Sequence, residues 1–425
     1  MHGVTTTSAR LTLAAASAVM VACSSPEPPP AEPSNATIYE GARVIVGDGR
    51  TIDDAIFVVE NERFTLVGPR SAVTVPEGAT RVDLTGKTVM PAVVDTHTHM
   101  ATNREELLTQ LRHKAYYGVA AVASLGQDTD LAYEVRDETI PGAARLRTAG
   151  RGITTPEPGR SEVPYWVKSE EEARKAVQEL AARDTDIVKI WVDDRNGQYE
   201  KLGPALYGPI IEEAHANDLR VTAHIFTLED AKGLLRAGID AFAHGVRDRD
   251  IDEEFLGLMK ERPEVVLVPN LPDRGVATDL SWLSATVPAG ELEKMQAAAV
   301  DRPDAQAAFG IQARNLAKMH SAGTRIALGT DGSAAWAHHL EMADMVAAGM
   351  SPADVIVAST RNAAEFLEFP DLGMVDSGKS ADFIVLDANP LDDITNTRRI
   401  NAVYLRGAAV DRDQFRSQLM SAPTQ

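Results

Sequence analysis

Two histidines one residue apart, His97 and His99 in Asp95-Thr96-His97-Thr98-His99, are the first residues of this 425-residue chain to suggest a metal. On a strand, positions i and i+2 point to one face, so both imidazoles can reach the same ion. In a chain with ten histidines such a pair is weak by itself. His224 closes the apolar run Val221-Thr222-Ala223, and His244 closes Phe242-Ala243. A lone histidine at a strand end is usually a packed one, but two in successive β/α units point to ligands. Lys189 lies inside Asp186-Ile187-Val188-Lys189-Ile190-Trp191. A charged ammonium within an apolar strand is costly, which favours the neutral amine. A neutral amine reacts with CO₂ to give a carbamate, an anionic bidentate ligand; the alternative is a lysine snorkelling from a strand end. Asp331 follows Ala327-Leu328-Gly329-Thr330, where either a helix N-cap or a ligand would sit.

These residues need elements to position them. From about Lys87 to Glu368 the sequence alternates apolar runs with amphipathic stretches. The runs are Val89–Asp95, Val119–Leu125, Ala144–Ala149, Ile187–Val192, Arg220–Ala223, Ala241–His244, Val265–Pro269 and Arg325–Gly329. Between them, Glu170–Ala182, Pro209–Ala216 and Leu228–Ala237 carry helical periodicity. Eight such units predict an α/β fold, a (β/α)8 TIM barrel over residues 87–368, with its active site at the C-terminal strand ends. Leu271 to about Ala298 is an insertion suited to a lid. Short β-rich runs recur only near the two ends, predicting a small β-sandwich domain built from 36–86 and 369–412, with 413–425 as a C-terminal tail.

The stretch Pro91-Ala92-Val93-Val94-Asp95-Thr96-His97-Thr98-His99 resembles the opening motif of the amidohydrolase superfamily. So does the run through Ser359-Thr360-Arg361-Asn362-Ala363-Ala364 to Gly378-Lys379-Ser380-Ala381-Asp382-Phe383, and the likeness spans roughly Ala36 to Leu405. The resemblance implies a hydrolase acting on carbon–nitrogen bonds with two divalent metals, zinc the leading candidate, and a small-molecule amide or peptide substrate. It implies His97, His99 and Asp331 on one metal, His224 and His244 on the other, and carboxylated Lys189 bridging them. Asp331 would be the catalytic residue, moving a proton from the attacking water to the departing nitrogen. The similar imidazolonepropionase-like and Xaa-Pro dipeptidase-like enzymes include several with a Gly-Gly-His turn after strand three; here Gly150 to Arg160 contains no histidine. Arg160, Asp193, Asp194, Arg195 and Asn270 are candidate substrate-binding residues from the loops after the strands, with ordinary surface charge the competing reading. Mononuclear deaminases of this fold carry an acid three residues past the strand-five histidine, where this chain has Thr227, with Glu229 nearby. A third reading is a non-catalytic surface binding lipoprotein.

His113, His215 and His320 fall in predicted helices and read as surface or packing residues, and Tyr116 and Tyr117 as packing at the end of the first helix. His338 and His339 read as a solvated loop or helix start. A formal net charge of −20 argues against nucleic-acid binding and against a polybasic membrane contact. Residues 1–23 resemble a signal peptide with a lipobox-like end: Arg10, an apolar stretch from Leu11 to Ala22, and Cys23, the single cysteine and the expected lipidation site, with an ordinary cleaved secretion signal as the alternative. Residues 24–35 form a Pro/Ser-rich tether. Export to a bacterial periplasm or outer membrane follows, with a lipid anchor as the membrane contact. The sequence specifies no oligomeric state.

Overall fold

Apolar runs flanked by amphipathic stretches become parallel strands with helices between them. The structure, a computed structural model, describes residues 35–74 and 78–421 together with residues 1 and 3. The signal segment, Cys23 and nearly all of the tether lie outside the described residues. Seven strands form one parallel sheet, in the order Tyr165–Trp166, Ile153–Thr154, Val188–Val192, Val221–Ile225, Ala241–Ala243, Val266–Val268 and Arg325–Ile326. Val93–Thr98, Val119–Ser124 and Arg145–Thr148 form a second parallel sheet. Backbone bonds link the two sheets on both sides. Thr96 N donates to Leu328 O at 3.0 Å, and Asp186 N to Thr148 O at 3.2 Å.

The helices between strands start where side chains satisfy their free N–H groups. Asn103 accepts from Glu106 N, Ser169 from Glu172 N, Thr227 from Asp230 N and Asp252 from Phe255 N. Glu170–Ala181 and Leu228–Ala237 therefore begin at the expected residues. Pro204–Ala216 begins earlier than expected, with Pro204 in the first turn, where a missing N–H costs nothing.

The run Val89–Asp95 is not one strand. Thr88–Pro91 belongs to a different sheet from Val93–Thr98, and Ala92 separates them. That other sheet has eight strands drawn from both chain ends: Thr37–Ile45, Thr51–Glu60, Arg63–Pro69, Thr80–Asp83, Thr88–Pro91, Phe383–Leu386, Ile400–Leu405 and Ala408–Ala409. Hydrogen bonding joins these strands into a single mixed sheet. Thr37–Ile45 pairs along one side with Thr51–Glu60, while the other side divides between Thr80–Asp83 and Thr88–Pro91. Tyr39, Phe57, Phe64 and Phe383 fill its aromatic core, with Tyr39 stacked on Phe57 at 4.8 Å.

The expected tail is helical instead. Arg412–Ser421 places Phe415 among Tyr116, Tyr117, Leu283 and Val287. Leu283 and Val287 belong to the Leu271–Ala298 insertion, which packs there rather than standing clear of the body, and which contains the helix Ala289–Ala298. Among the described residues no helix is long and apolar enough to cross a membrane.

Candidate metal centre

Strand ends bring the ionisable residues together. His97 sits within Val93–Thr98, Lys189 within Val188–Val192, His224 within Val221–Ile225, and His244 directly after Ala241–Ala243. His97, His244 and Asp331 offer ligand atoms that all lie within 4.8 Å of one another. Asp331 Oδ1 is 3.2 Å from His97 Nε2 and 3.1 Å from His99 Nε2, while Oδ2 is 3.5 Å from His244 Nε2. Lys189 Nζ, fully buried, lies 3.4 Å from His97 Nε2. The rings of His224 and His244 are 4.5 Å apart. All six residues expected to hold metals thus face one region.

Close packing fixes this arrangement. A Cβ added to Gly329 would fall 2.8 Å from His97 Cβ, so only glycine lets the Arg325–Ile326 chain pass so near the first histidine. Gly126, at φ +90°, leaves equal room for the Lys189 stem, 2.9 Å from the same imagined atom. His244, Asn270 and Asp331 hold positive φ values of 147°, 42° and 53°. Such backbone persists only where surrounding contacts enforce it, and functional sites are where it collects. For Asp331 the enforcement is visible: its N–H donates to His97 O at 2.8 Å.

Burial sets the protonation states. Desolvation, reinforced by the Lys189 charge, holds His97 well below the usual imidazole range; desolvation and the neighbouring His224 do the same for His244. His224 falls to about 3, again chiefly by burial. These rings are therefore neutral and offer lone pairs. Desolvation also lowers Lys189 to about 7, with Arg247 and Arg195 adding to it and Asp331 opposing, so much of the amine is unprotonated at neutral pH. Burial pushes the Asp331 carboxyl up, but the His99 hydrogen bond and the electrostatics of the surrounding donors outweigh it and hold the group below the usual carboxylate range.

The candidate substrate residues divide. Asp193 and Arg195 reach the centre: Asp193 Oδ2 is 3.0 Å and Arg195 Nη1 3.2 Å from His224 Nε2. Asn270 is also there, but against a ligand rather than open space, its Nδ2 2.7 Å from His97 Nδ1. Arg160 is exposed and paired with Glu157 at 2.5 Å, and Asp194 accepts from Gly197 N within its own loop at 3.0 Å. The structure brings neither of these two to the histidines. His338 and His339 are buried, not solvated. His338 Nε2 is 3.1 Å from Tyr117 O and His339 Nδ1 3.0 Å from Thr397 Oγ1, because the insertion and the Ile394–Arg398 turn close over the helix Ala337–Ala347 that carries them. His215 and His320 face Asp240 and Asp354 at the surface, and His113 packs against Tyr117 and Phe415.

Sequence reading missed several residues that support the site. Asp95 and Lys114 form a buried pair beneath Thr330, Asp128 receives the hydroxyls of Ser124 and Thr148, and the Arg247 charge is felt at Lys189. Asp95 stands in the histidine motif itself and carried a signal. Arg247 looked like any loop arginine. Beside the centre a cavity of about 270 Å³ is lined by Thr330, Leu271, Val276, Leu280, Arg274 and Asp344.

The imidazolonepropionase of Deinococcus radiodurans is 28% identical to this chain, covering 85% of it and 94% of the relative. The ochratoxinase of Aspergillus niger is 26% identical, covering 84% of the chain and 82% of the relative. Among solved structures, a putative prolidase from Bifidobacterium longum superposes with a TM-score of 0.73 at 25% identity, covering 92% of this chain and all of that one. The model of the amidohydrolase family matches residues 88–410. A match running from the strand before His97 to the last strand of the mixed sheet makes this chain a member of the amidohydrolase family, metal-dependent hydrolases of amide and other carbon–nitrogen bonds.

Proposed function

We propose that the chain is a binuclear hydrolase of N-acyl amino acids, dipeptides or cyclic amides, its two parallel sheets closing as one (β/α)8 barrel around the site. The observation that carries this reading is Lys189 Nζ at 3.4 Å from His97 Nε2, on the same side as the His97, His244 and Asp331 donor atoms. The donor set fits divalent cations. Both ring nitrogens of His244 and Nδ1 of His99 are buried without a hydrogen-bond partner, a costly state that coordination relieves. His97, His99 and Asp331 would hold one ion and His224 with His244 the other, with Lys189 as a carbamate between them. Nitrogen and oxygen donors of this kind suit zinc. Bound cations supply an acidified water and polarise the scissile carbonyl.

The chain's own groups do the rest. Asp331, ionised and facing the site, takes the proton of the attacking water and passes it to the departing nitrogen. Asn270 governs the first histidine. A lone pair at His97 Nε2 requires the proton on Nδ1, and turning the Asn270 amide over places its carbonyl oxygen to accept that proton at the 2.7 Å contact. The same turn uses Asn270 Oδ1, which otherwise has no partner.

The deaminase reading is disfavoured by Thr227. Its hydroxyl caps the helix Leu228–Ala237 and donates to Asp230 at 2.6 Å, and Glu229 is turned outward with its side chain 71% exposed. Metal analysis of purified protein tests the assignment. About two zinc ions per chain, with hydrolysis of an N-acyl amino acid or dipeptide, supports the hydrolase; one ion points to the deaminase and none to a binding protein. Export as a lipoprotein through Cys23 completes the proposal, and an intact mass without acyl chains on Cys23 would refute that part.

A further inference from the structure

Arg247 carries its charge without a direct ion-pair partner among the described residues. It follows His244 on the loop after Ala241–Ala243, and its backbone N–H is fixed to Phe226 O at 2.9 Å. Its side chain is largely withdrawn from water, Nε is sealed without a hydrogen-bond partner, and among the described residues no carboxylate reaches ion-pair distance. A guanidinium withdrawn from water in this way normally sits opposite an anion, because removing one partner of such a pair leaves a strongly unfavourable charge. Asp331 and Asp193 act on Arg247 only through space, and Arg195 opposes them.

Arg195 stands at the same rim, on the loop after Val188–Val192, at φ 54°. Glu157 holds its Nε at 3.2 Å and Asp193 its Nη1 at 2.8 Å, while Nη2 is buried with no partner. The two loops therefore present two guanidiniums, each with an unused donor, and both charges are felt at Lys189 and His224. A planar fork with parallel N–H groups matches a carboxylate in geometry as well as charge.

We propose that Arg247, aided by Arg195, binds a carboxylate of the substrate, so that the enzyme selects N-acyl amino acids and dipeptides with a free carboxyl group over neutral amides. This rests on the hydrolase reading above and narrows it. Lining up a charged group at this rim would set which bond faces the histidines, so the discrimination shows in kcat/KM rather than in metal content.

The test compares N-acyl amino acids with their C-terminal amides as substrates of the zinc-loaded protein, beside the R247Q and R247K variants. The wild type is expected to favour the acids by roughly 10- to 100-fold in kcat/KM, the range of one or two charge-assisted hydrogen bonds. R247Q is expected to bring that ratio close to one through a raised KM for the acids, and R247K to restore part of it, at unchanged metal content and melting temperature. Equal cleavage of acid and amide by the wild type, or an R247Q preference as strong as the wild type's, overturns the proposal and leaves the hydrolase standing. If the metal-loaded protein cleaves neither, the hydrolase reading fails, and calorimetric titration with N-benzoylglycine decides the subsite separately. At least tenfold weaker binding to R247Q supports it, and equal binding overturns it.

Discussion

Lys114 Nζ and Asp95 Oδ2 form an ion pair at 2.8 Å with neither side chain exposed to solvent. The same carboxylate receives the Thr330 N–H at 3.1 Å and its hydroxyl at 2.8 Å, so the helix Arg104–Tyr116 is tied to the turn that presents Asp331. Lys114→Met would leave a buried carboxylate unpaired, at a cost of about 3–5 kcal/mol. A lowered denaturation midpoint is expected, with reduced turnover in the protein that remains folded. The double variant Asp95→Asn/Lys114→Met should lose less than the two single losses added together, since the partners act as one unit. Strict additivity would show that the pair does not brace the turn.

Asp331 touches the rings of His97 and His99 and stays ionised among them. Asp331→Asn keeps the shape but removes the proton acceptor. Turnover should fall by roughly 10²–10⁴-fold, the usual share of general acid–base catalysis, while circular dichroism is unchanged. Near-normal activity at full metal content would remove Asp331 from the proton transfer.

Lys189 is expected to act as an acid-derived ligand rather than as an amine. Lys189→Ala should cut bound zinc from about two ions per chain to one or fewer, and added short-chain carboxylates such as propionate should restore part of the second site. Unaltered zinc content in the alanine variant would mean that Lys189 bridges nothing.

Asp344 gives a pH signature away from the histidines. Burial pushes its carboxyl up to about 7 despite the Arg274 guanidinium at 2.9 Å. The folded chain therefore holds this proton more tightly than the unfolded chain, whose carboxyl titrates near 3.8. Stability from this group is complete below about pH 4, drains away as pH rises to about 7, and changes no further above that. Buried Glu341, also raised, works in the same direction. In Asp344→Asn the melting temperature should fall less steeply between pH 4 and 7 than in the wild type. Identical slopes would exclude the titration.

The histidines and Asp331 were legible as candidates because each stands toward the end of an apolar run, and Lys189 because it stands inside one. Caps such as Ser169 and Thr227 mark helix starts in the sequence itself, and those starts fall where expected. Val89–Asp95 was not legible as two strands. Thr88–Pro91 and Val93–Thr98 are buried throughout, so no polar alternation marks the break between them. The burial of His338 and His339 depends on Leu283, Trp282 and Thr397 folding over them, contacts between segments far apart in the chain. Arg247 was missed for the same reason: its meaning comes from which charges surround it, and periodicity holds no record of that.

The mixed sheet has a consequence for biogenesis. Thr88–Pro91 receives one neighbour from the N-terminal end, Thr37–Ile45, and the other, Phe383–Leu386, from near the opposite end. During synthesis one edge of that strand stays open until Phe383–Leu386 has been made, an unpaired apolar ladder of the kind that joins another nascent chain. Closure of this clasp is a long-range step and a slow one.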